Sequence, residues 1–147
     1  MSQGGIDLET SLGYLLKEAA SALRVAMETV LRPLGMTITQ YSCLELLAQR
    51  PGLSNSELAR GAFVTRQSMN VLLQAMERDG YVSRPAQAAV GKVLPTSLTP
   101  RGRQALQAAS AAVRSVEKRM LRGMTDAEQA AALASLRSMI TGLRDDG

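Results

Sequence analysis

Three copies of one short pattern divide this chain into helices before anything else about it is considered. A hydroxyl residue is followed three positions later by Gln or Glu in "TITQ" (Thr37, Gln40), "SNSE" (Ser54, Glu57) and "TDAE" (Thr125, Glu128). In such a capping box the hydroxyl takes a free N–H of the first helical turn, and the longer side chain reaches back to the cap's own N–H. Two more starts are marked by Thr65 and by the pair Thr99-Pro100, with proline at the first helical position. The breakers fall between these signals, at Pro33 and Gly35, at "PGLS" and at Gly80. A chain punctuated this way is mainly α.

The apolar spacing agrees with the caps. Leu12, Leu16, Ala19, Leu23, Ala26 and Val30 step by fours and threes along a helix expected over residues 7–32. Tyr41, Leu44, Leu47 and Ala48 mark the buried side of a second helix, and a short third one runs from Ser54 through "LARGAF". Met69, Leu72, Leu73 and Met76 fall on one face of a fourth. After Gly80, "YVSR" and "KVLPTSL" read as two extended segments flanking the small-residue loop "PAQAAVG", and they can pair as a hairpin with an irregular, Pro95-bearing strand. Leu106, Ala109, Val113, Val116 and Met120, then Leu133, Leu136, Ile140 and Leu143, form the stripes of two closing helices.

Composition narrows the chemistry. The chain has no histidine and one cysteine, Cys43, so neither a Cys/His zinc site, a histidine general base nor an internal disulfide is available. No nucleophile–base pair, metal cluster or phosphate loop is visible, and neither an enzyme nor a cofactor is expected. No apolar run reaches the ~20 residues of a membrane span and the first residues lack a signal-peptide layout, so a cytoplasmic protein with no membrane partner is expected. Cys43 beside Leu44 on an apolar surface reads as structural rather than as a redox sensor. The eight methionines read chiefly as adaptable core filler.

Charge is concentrated in the middle. Residues 60–103 carry seven bases (Arg60, Arg66, Arg78, Arg84, Lys92, Arg101, Arg103) against Glu77 and Asp79, a surplus of five that exceeds the net +4 of the whole chain. Such a field suits a polyanion. The same region contains a short helix, a turn and a second helix whose first turn holds Thr65, Arg66, Gln67, Ser68 and Asn70, followed at once by the hairpin. This is the order of a helix-turn-helix with a wing. Arg pairs with guanine edges and Asn or Gln with adenine, while hydroxyls and free N–H groups at a helix start hold phosphates. The candidate DNA contacts are Ser54, Asn55, Thr65, Arg66, Gln67, Ser68, Asn70, Gln74, Arg84 and Lys92. Ser54, Thr65 and Ser68 also suit capping, and Ser54 suits it better than DNA. Arg78 also suits pairing with Glu77 or Asp79, and Arg101 and Arg103 suit either the scaffold or phosphate.

"GMTITQYSCLELLAQRPGLSNSELA", "VTRQSMNVLLQAMERDGYVSR", "SLTPRGRQAL" and "MTDAEQAAALASLRSMI", in this order, resemble the MarR family of winged helix-turn-helix transcriptional regulators over nearly the whole chain. The resemblance implies a homodimer joined through its terminal helices, pseudo-palindromic operator DNA as partner, and often release by a small aromatic or phenolic effector. It divides the chain into an N-terminal dimerisation arm (1–34), a winged helix-turn-helix region (35–99) and C-terminal dimerisation helices (100–147). An effector is expected between the arms and the DNA-binding centre, with Tyr14, Met36 and Tyr41 as lining candidates. Two positions depart from the family pattern. The wing reads "AVGKV", with Lys92 where an Arg is common, and the recognition helix has Val71 where many relatives have Arg. Lysine is a poorer fit to a narrow minor groove. Readout then falls on Arg66, Gln67, Ser68 and Asn70, the alternative being a winged-helix protein-interaction module that has lost operator binding.

Overall fold

The computed structural model of the protein describes residues 4–84 and 95–145. Helix α1 spans Leu12–Leu31, α2 Ile38–Gln49, α3 Asn55–Ala62 and α4 Arg66–Arg78. Strands β1 (Val82–Ser83) and β2 (Ser97–Leu98) follow, then α5 (Pro100–Leu121) and α6 (Asp126–Arg144). The architecture is mainly α with one small hairpin, as the caps and stripes require.

All three capping boxes form, each with both reciprocal bonds. Thr65 caps α4 by accepting from the Ser68 N–H at 3.0 Å, and Thr99 caps α5 by accepting from the Gly102 N–H at 3.0 Å. The first helix differs from its expected bounds, starting at Leu12 rather than residue 7. Asp7 explains this: its carbonyl takes the Thr10 N–H (3.2 Å) and its carboxylate the Glu9 N–H (3.1 Å), closing a turn. Ser11 then accepts from the Tyr14 N–H at 3.1 Å and starts the helix. Asp and Ser compete with helix through such local bonds, so an apolar stripe alone overruns the boundary. At the far end Pro33 lies in a 3-10 turn, and Gly35 supplies φ +69° where the chain turns towards α2.

The strands pair antiparallel with Val82 opposite Leu98 and Ser83 opposite Ser97, which turns Val82 and Leu98 into the core. That core joins Cys43, Leu44 and Leu47 of α2, Leu58 and Ala59 of α3, Met69, Leu73 and Met76 of α4, and Leu106 of α5. Leu72 is only partly buried. Burial pushes the Cys43 thiol up to about 12, which fits the structural role expected of it. Helix α5 packs along both α1 and α2, tying the arm to the centre.

One residue is held against its preference. Phe63 ends α3 at φ +60°, ψ 40°, a left-handed conformation that usually falls to glycine, and its side chain is 84% exposed. The left-handed region costs a residue with a Cβ roughly 1–2 kcal/mol, while the exposed ring contributes little packing. Phe63→Gly should therefore raise unfolding stability by about 1 kcal/mol in denaturant titration, unchanged stability indicating that the ring contacts a partner.

Candidate nucleic-acid interface

Helices α3 and α4 meet through a short turn, and the burial of Met69, Leu73 and Met76 fixes the direction of α4. Its other side is left to solvent. Arg66, Gln67, Ser68, Val71 and Gln74 are all exposed, together with Thr65 at the cap. Because Gln67, Val71 and Gln74 are spaced by four and three, they line one stripe facing away from the core. Val71 had stood only as a missing arginine. At 61% exposed it offers the apolar contact that a thymine methyl accepts.

Several candidates are already engaged. The Thr65 hydroxyl donates to Ser68 Oγ at 2.9 Å while accepting from the Ser68 N–H, so both hydroxyls serve the cap. Ser54 accepts from the Glu57 N–H at 3.2 Å, its own N–H donating to Glu57 Oε1 at 3.0 Å. That backbone bond is the main cause holding the Glu57 carboxyl below its usual range. Asn55 Nδ2 donates to Asn70 Oδ1 at 3.1 Å, joining the first residue of α3 to the first turns of α4. Arg84 pairs with Glu77 at 3.3 Å and its side chain is only 15% exposed, so it clamps the hairpin to α4 rather than standing free. Lys92 and the rest of the expected wing loop lie outside the described residues. Arg78 forms no ion pair with Glu77 or Asp79 among the described residues.

The hairpin is fastened to α5 by a joint that the sequence did not signal. The Thr99 hydroxyl lies 2.6 Å from the Gly80 carbonyl and 3.1 Å from that of Tyr81, and the Thr99 N–H donates to the latter at 3.1 Å. The Arg101 guanidinium sits 4.9 Å above the Tyr81 ring, a cation–π contact that assigns Arg101 to the scaffold. Arg103 borders a shallow groove with Ser110 and Arg114 on α5 and Ala48 on α2.

A second polar tie connects α2 to α5. Tyr41 Oη donates to Glu45 Oε2 at 2.6 Å, Ser110 Oγ to the same oxygen at 3.0 Å, and Gln49 Nε2 to Glu45 Oε1 at 3.1 Å. Desolvation pushes the Glu45 carboxyl upward, but these three donors outweigh it and hold the group below the usual range. Burial and the adjacent carboxylate raise Tyr41 well above an ordinary phenol. The three lining candidates are not brought together. Tyr14 borders an open crevice of about 730 Å³ along α1, with Lys17, Val25 and Arg119. Met36 borders another of about 720 Å³ with Leu23, Met27, Arg32 and Ile38. Tyr41 is committed to Glu45 and lines neither.

The MarR family model matches residues 34–92, which span α2 to α4 and the first strand. The HTH-type transcriptional repressor Rv2887 of Mycobacterium tuberculosis is 43% identical over 125 residues, covering 85% of this chain and 90% of that protein. Its crystal structure with p-aminosalicylic acid superposes with a TM-score of 0.73 at 42% identity, covering 88% of this chain and 98% of that one. Its complex with DNA gives 0.70 at 39% identity, covering 92% and 99%. An identity of this order over 85% of the chain, a span too long to be confined to the helix-turn-helix, places the chain in the MarR family of winged helix-turn-helix regulators.

Proposed function

We propose that this protein is a cytoplasmic transcriptional repressor that binds a pseudo-palindromic operator as a homodimer and is released by a small aromatic acid. The observation that carries the reading is the exposed first turn of α4, where Arg66 and Gln67 make no side-chain hydrogen bond or ion pair among the described residues, above a face locked into the core. The family relative solved with DNA supports it. Residues 35–99 make the DNA-binding region, with 1–34 and 100–147 joining two copies so that the recognition helices lie ~34–36 Å apart, one turn of duplex. Arg66, Gln67 and Asn70 read bases, Thr65, Ser68 and Ser54 hold the helix starts beside phosphate, and Gln74 extends the reading stripe. Lys92 supplies the wing's cation. No enzymatic step belongs to this role.

Release follows from where the second crevice lies. It sits where α1 gives way to α2, lined by Leu23, Met27, Met36 and Ile38, with Arg32 and the Arg24–Glu28 ion pair (3.1 Å) at its border. Apolar walls with the Arg32 guanidinium beside them suit an aromatic carboxylate such as the p-aminosalicylate bound by the relative. An occupant there would press on both α1 and the start of α2, the elements that join the arm to the DNA-binding centre.

The test is binding to the DNA upstream of the protein's own gene, against a scrambled duplex, across a salt series. Arg66→Ala should weaken cognate binding roughly 10- to 100-fold, the ~1–3 kcal/mol of a bidentate guanine contact, and scrambled binding far less. Lys92→Ala should weaken both duplexes alike and reduce the salt slope by about one counterion. Equal losses on both duplexes for Arg66→Ala would make Arg66 a backbone contact, and a folded dimer that binds neither duplex would overturn the reading.

A further inference from the structure

The bond between Asn55 and Asn70 bears on what Asn70 can read. A carboxamide pairs bidentately with adenine by accepting from N6 and donating to N7, so it needs its oxygen and its amino group turned to the groove together. Here the Asn70 oxygen takes the Asn55 amino group at 3.1 Å. Among the described residues neither Asn70 Nδ2 nor Asn55 Oδ1 has a protein partner, and neither is a buried unsatisfied atom. Both are open to solvent. The Asn70 oxygen is thus engaged by a residue on the other helix, which leaves its amino group as the end free of a protein partner among the described residues.

We propose that Asn55 is a positioning residue for base readout, which turns Asn70 into a donor that selects acceptor atoms in the major groove: purine N7, guanine O6 or thymine O4. The inference rests on the DNA-binding reading of α4 and sharpens it, because Asn70 would no longer be an adenine-specific reader. Asn55 gains this control from its place. As the first residue of α3 it is fixed by the Ser54–Glu57 capping box, whose reciprocal bonds of 3.0 and 3.2 Å anchor that helix start. A donor whose backbone is anchored at one helix start then orients a reader on the next.

The chemistry of the pair allows its polarity to be reversed. Aspartate at position 55 has only acceptors, so Asn70 must turn its amino group inward and present its oxygen. The outward acceptor would then favour adenine N6 or cytosine N4. Alanine at 55 frees both ends and restores the bidentate adenine geometry. Aspartate is also well placed at a helix N-terminus, so Asn55→Asp should fold normally.

The experiment selects duplexes from a library randomised across the bound site. It uses the full-length protein and the variants Asn55→Asp, Asn55→Ala, Asn70→Ala and the double variant Asn55→Asp/Asn70→Ala. Circular dichroism and sedimentation confirm that each is folded and in the same assembly state. The expected result is a change of base preference at one symmetry-related pair of positions. Guanine or thymine should give way to adenine or cytosine in Asn55→Asp and to adenine in Asn55→Ala, by about fivefold or more, the worth of one directed hydrogen bond. Asn70→Ala should flatten the preference at the same positions, and the double variant should match Asn70→Ala there. An Asn55→Asp protein that loses affinity evenly with its base profile intact overturns the proposal while leaving operator binding standing. A shift that persists without Asn70 overturns it too, since Asn55 would then touch the base itself. If the unaltered protein selects no sequence at all, the operator reading fails first.

Discussion

Gly102→Ala should destabilise this protein by about 2–3 kcal/mol, although the substitution lies within a helix, where alanine is normally the better residue. Helix propensity favours alanine over glycine by roughly 1 kcal/mol. At position 102, however, an added Cβ would stand 2.1 Å from the Tyr81 carbonyl oxygen and 3.1 Å from its carbon. The obstacle is backbone, so no rotamer change relieves it. Helix α5 would have to withdraw from the hairpin, breaking the bonds of Thr99 to the Gly80 and Tyr81 carbonyls and lifting Arg101 off the Tyr81 ring. Overpacking of this kind costs ~1–3 kcal/mol and occasionally more, which exceeds the propensity gain once the hydrogen bonds are included. Gly61→Ala is the informative contrast. There the nearest atom, at 2.8 Å, is the Cδ1 methyl of Leu46, the end of a flexible side chain, and the expected loss is under about 1 kcal/mol. Denaturant unfolding of both variants at matched protein concentration separates them, and equal stabilities would show that the α5 joint is loose.

That joint also marks a limit to what the sequence discloses. Caps and core faces were legible because they are local: Thr37 with Gln40, Ser54 with Glu57, and Met69 with Leu73 and Met76 each lie within two helical turns. The order of elements followed from them. Pairings across the fold were not legible. Nothing within "LTPRG" shows that Gly102 faces the Tyr81 carbonyl, although a glycine in the first turn of an otherwise well-capped helix is the kind of residue that marks close backbone approach. Arg84 was expected on DNA, and its ion pair with Glu77 across the hairpin corner could not be read from the sequence. The bond from Asn55 to Asn70 spans fifteen positions and two helices, so periodicity could list both residues but not join them. Tyr41 was expected near an effector and is held by Glu45, a carboxylate one turn away that also accepts from Ser110 on a distant helix.

The largest effect is expected where the single chain is least complete. Helix α6 buries none of its residues within the chain, yet Leu133 is 52% exposed and Leu143 84%, with Leu136 and Ile140 exposed between them. At the other end Leu12, Leu15 and Leu16 of α1 are exposed as well, as are Ile6 and Leu8 before it. Apolar surface arranged as stripes at both termini, on helices with strong caps, fits burial against a second copy of the chain. In a two-fold interface every substitution is made twice. Leu136→Asp combined with Ile140→Asp would remove four apolar side chains from a dimer core, each worth ~1.5–3 kcal/mol when buried, and place four carboxylates there. The loss of at least ~6 kcal/mol weakens association by a factor of about 10⁴ or more, which turns a dimer into a monomer at micromolar concentration. Operator binding should collapse with it, because one monomer engages one half-site and forfeits the second recognition helix. Sedimentation would show the variant at the 15.7 kDa of one chain, and a duplex bearing both half-sites would bind no better than a duplex bearing one. A double variant that remains dimeric and holds the full operator as tightly as before would remove α6 from the interface. The stripe would then belong to a different partner.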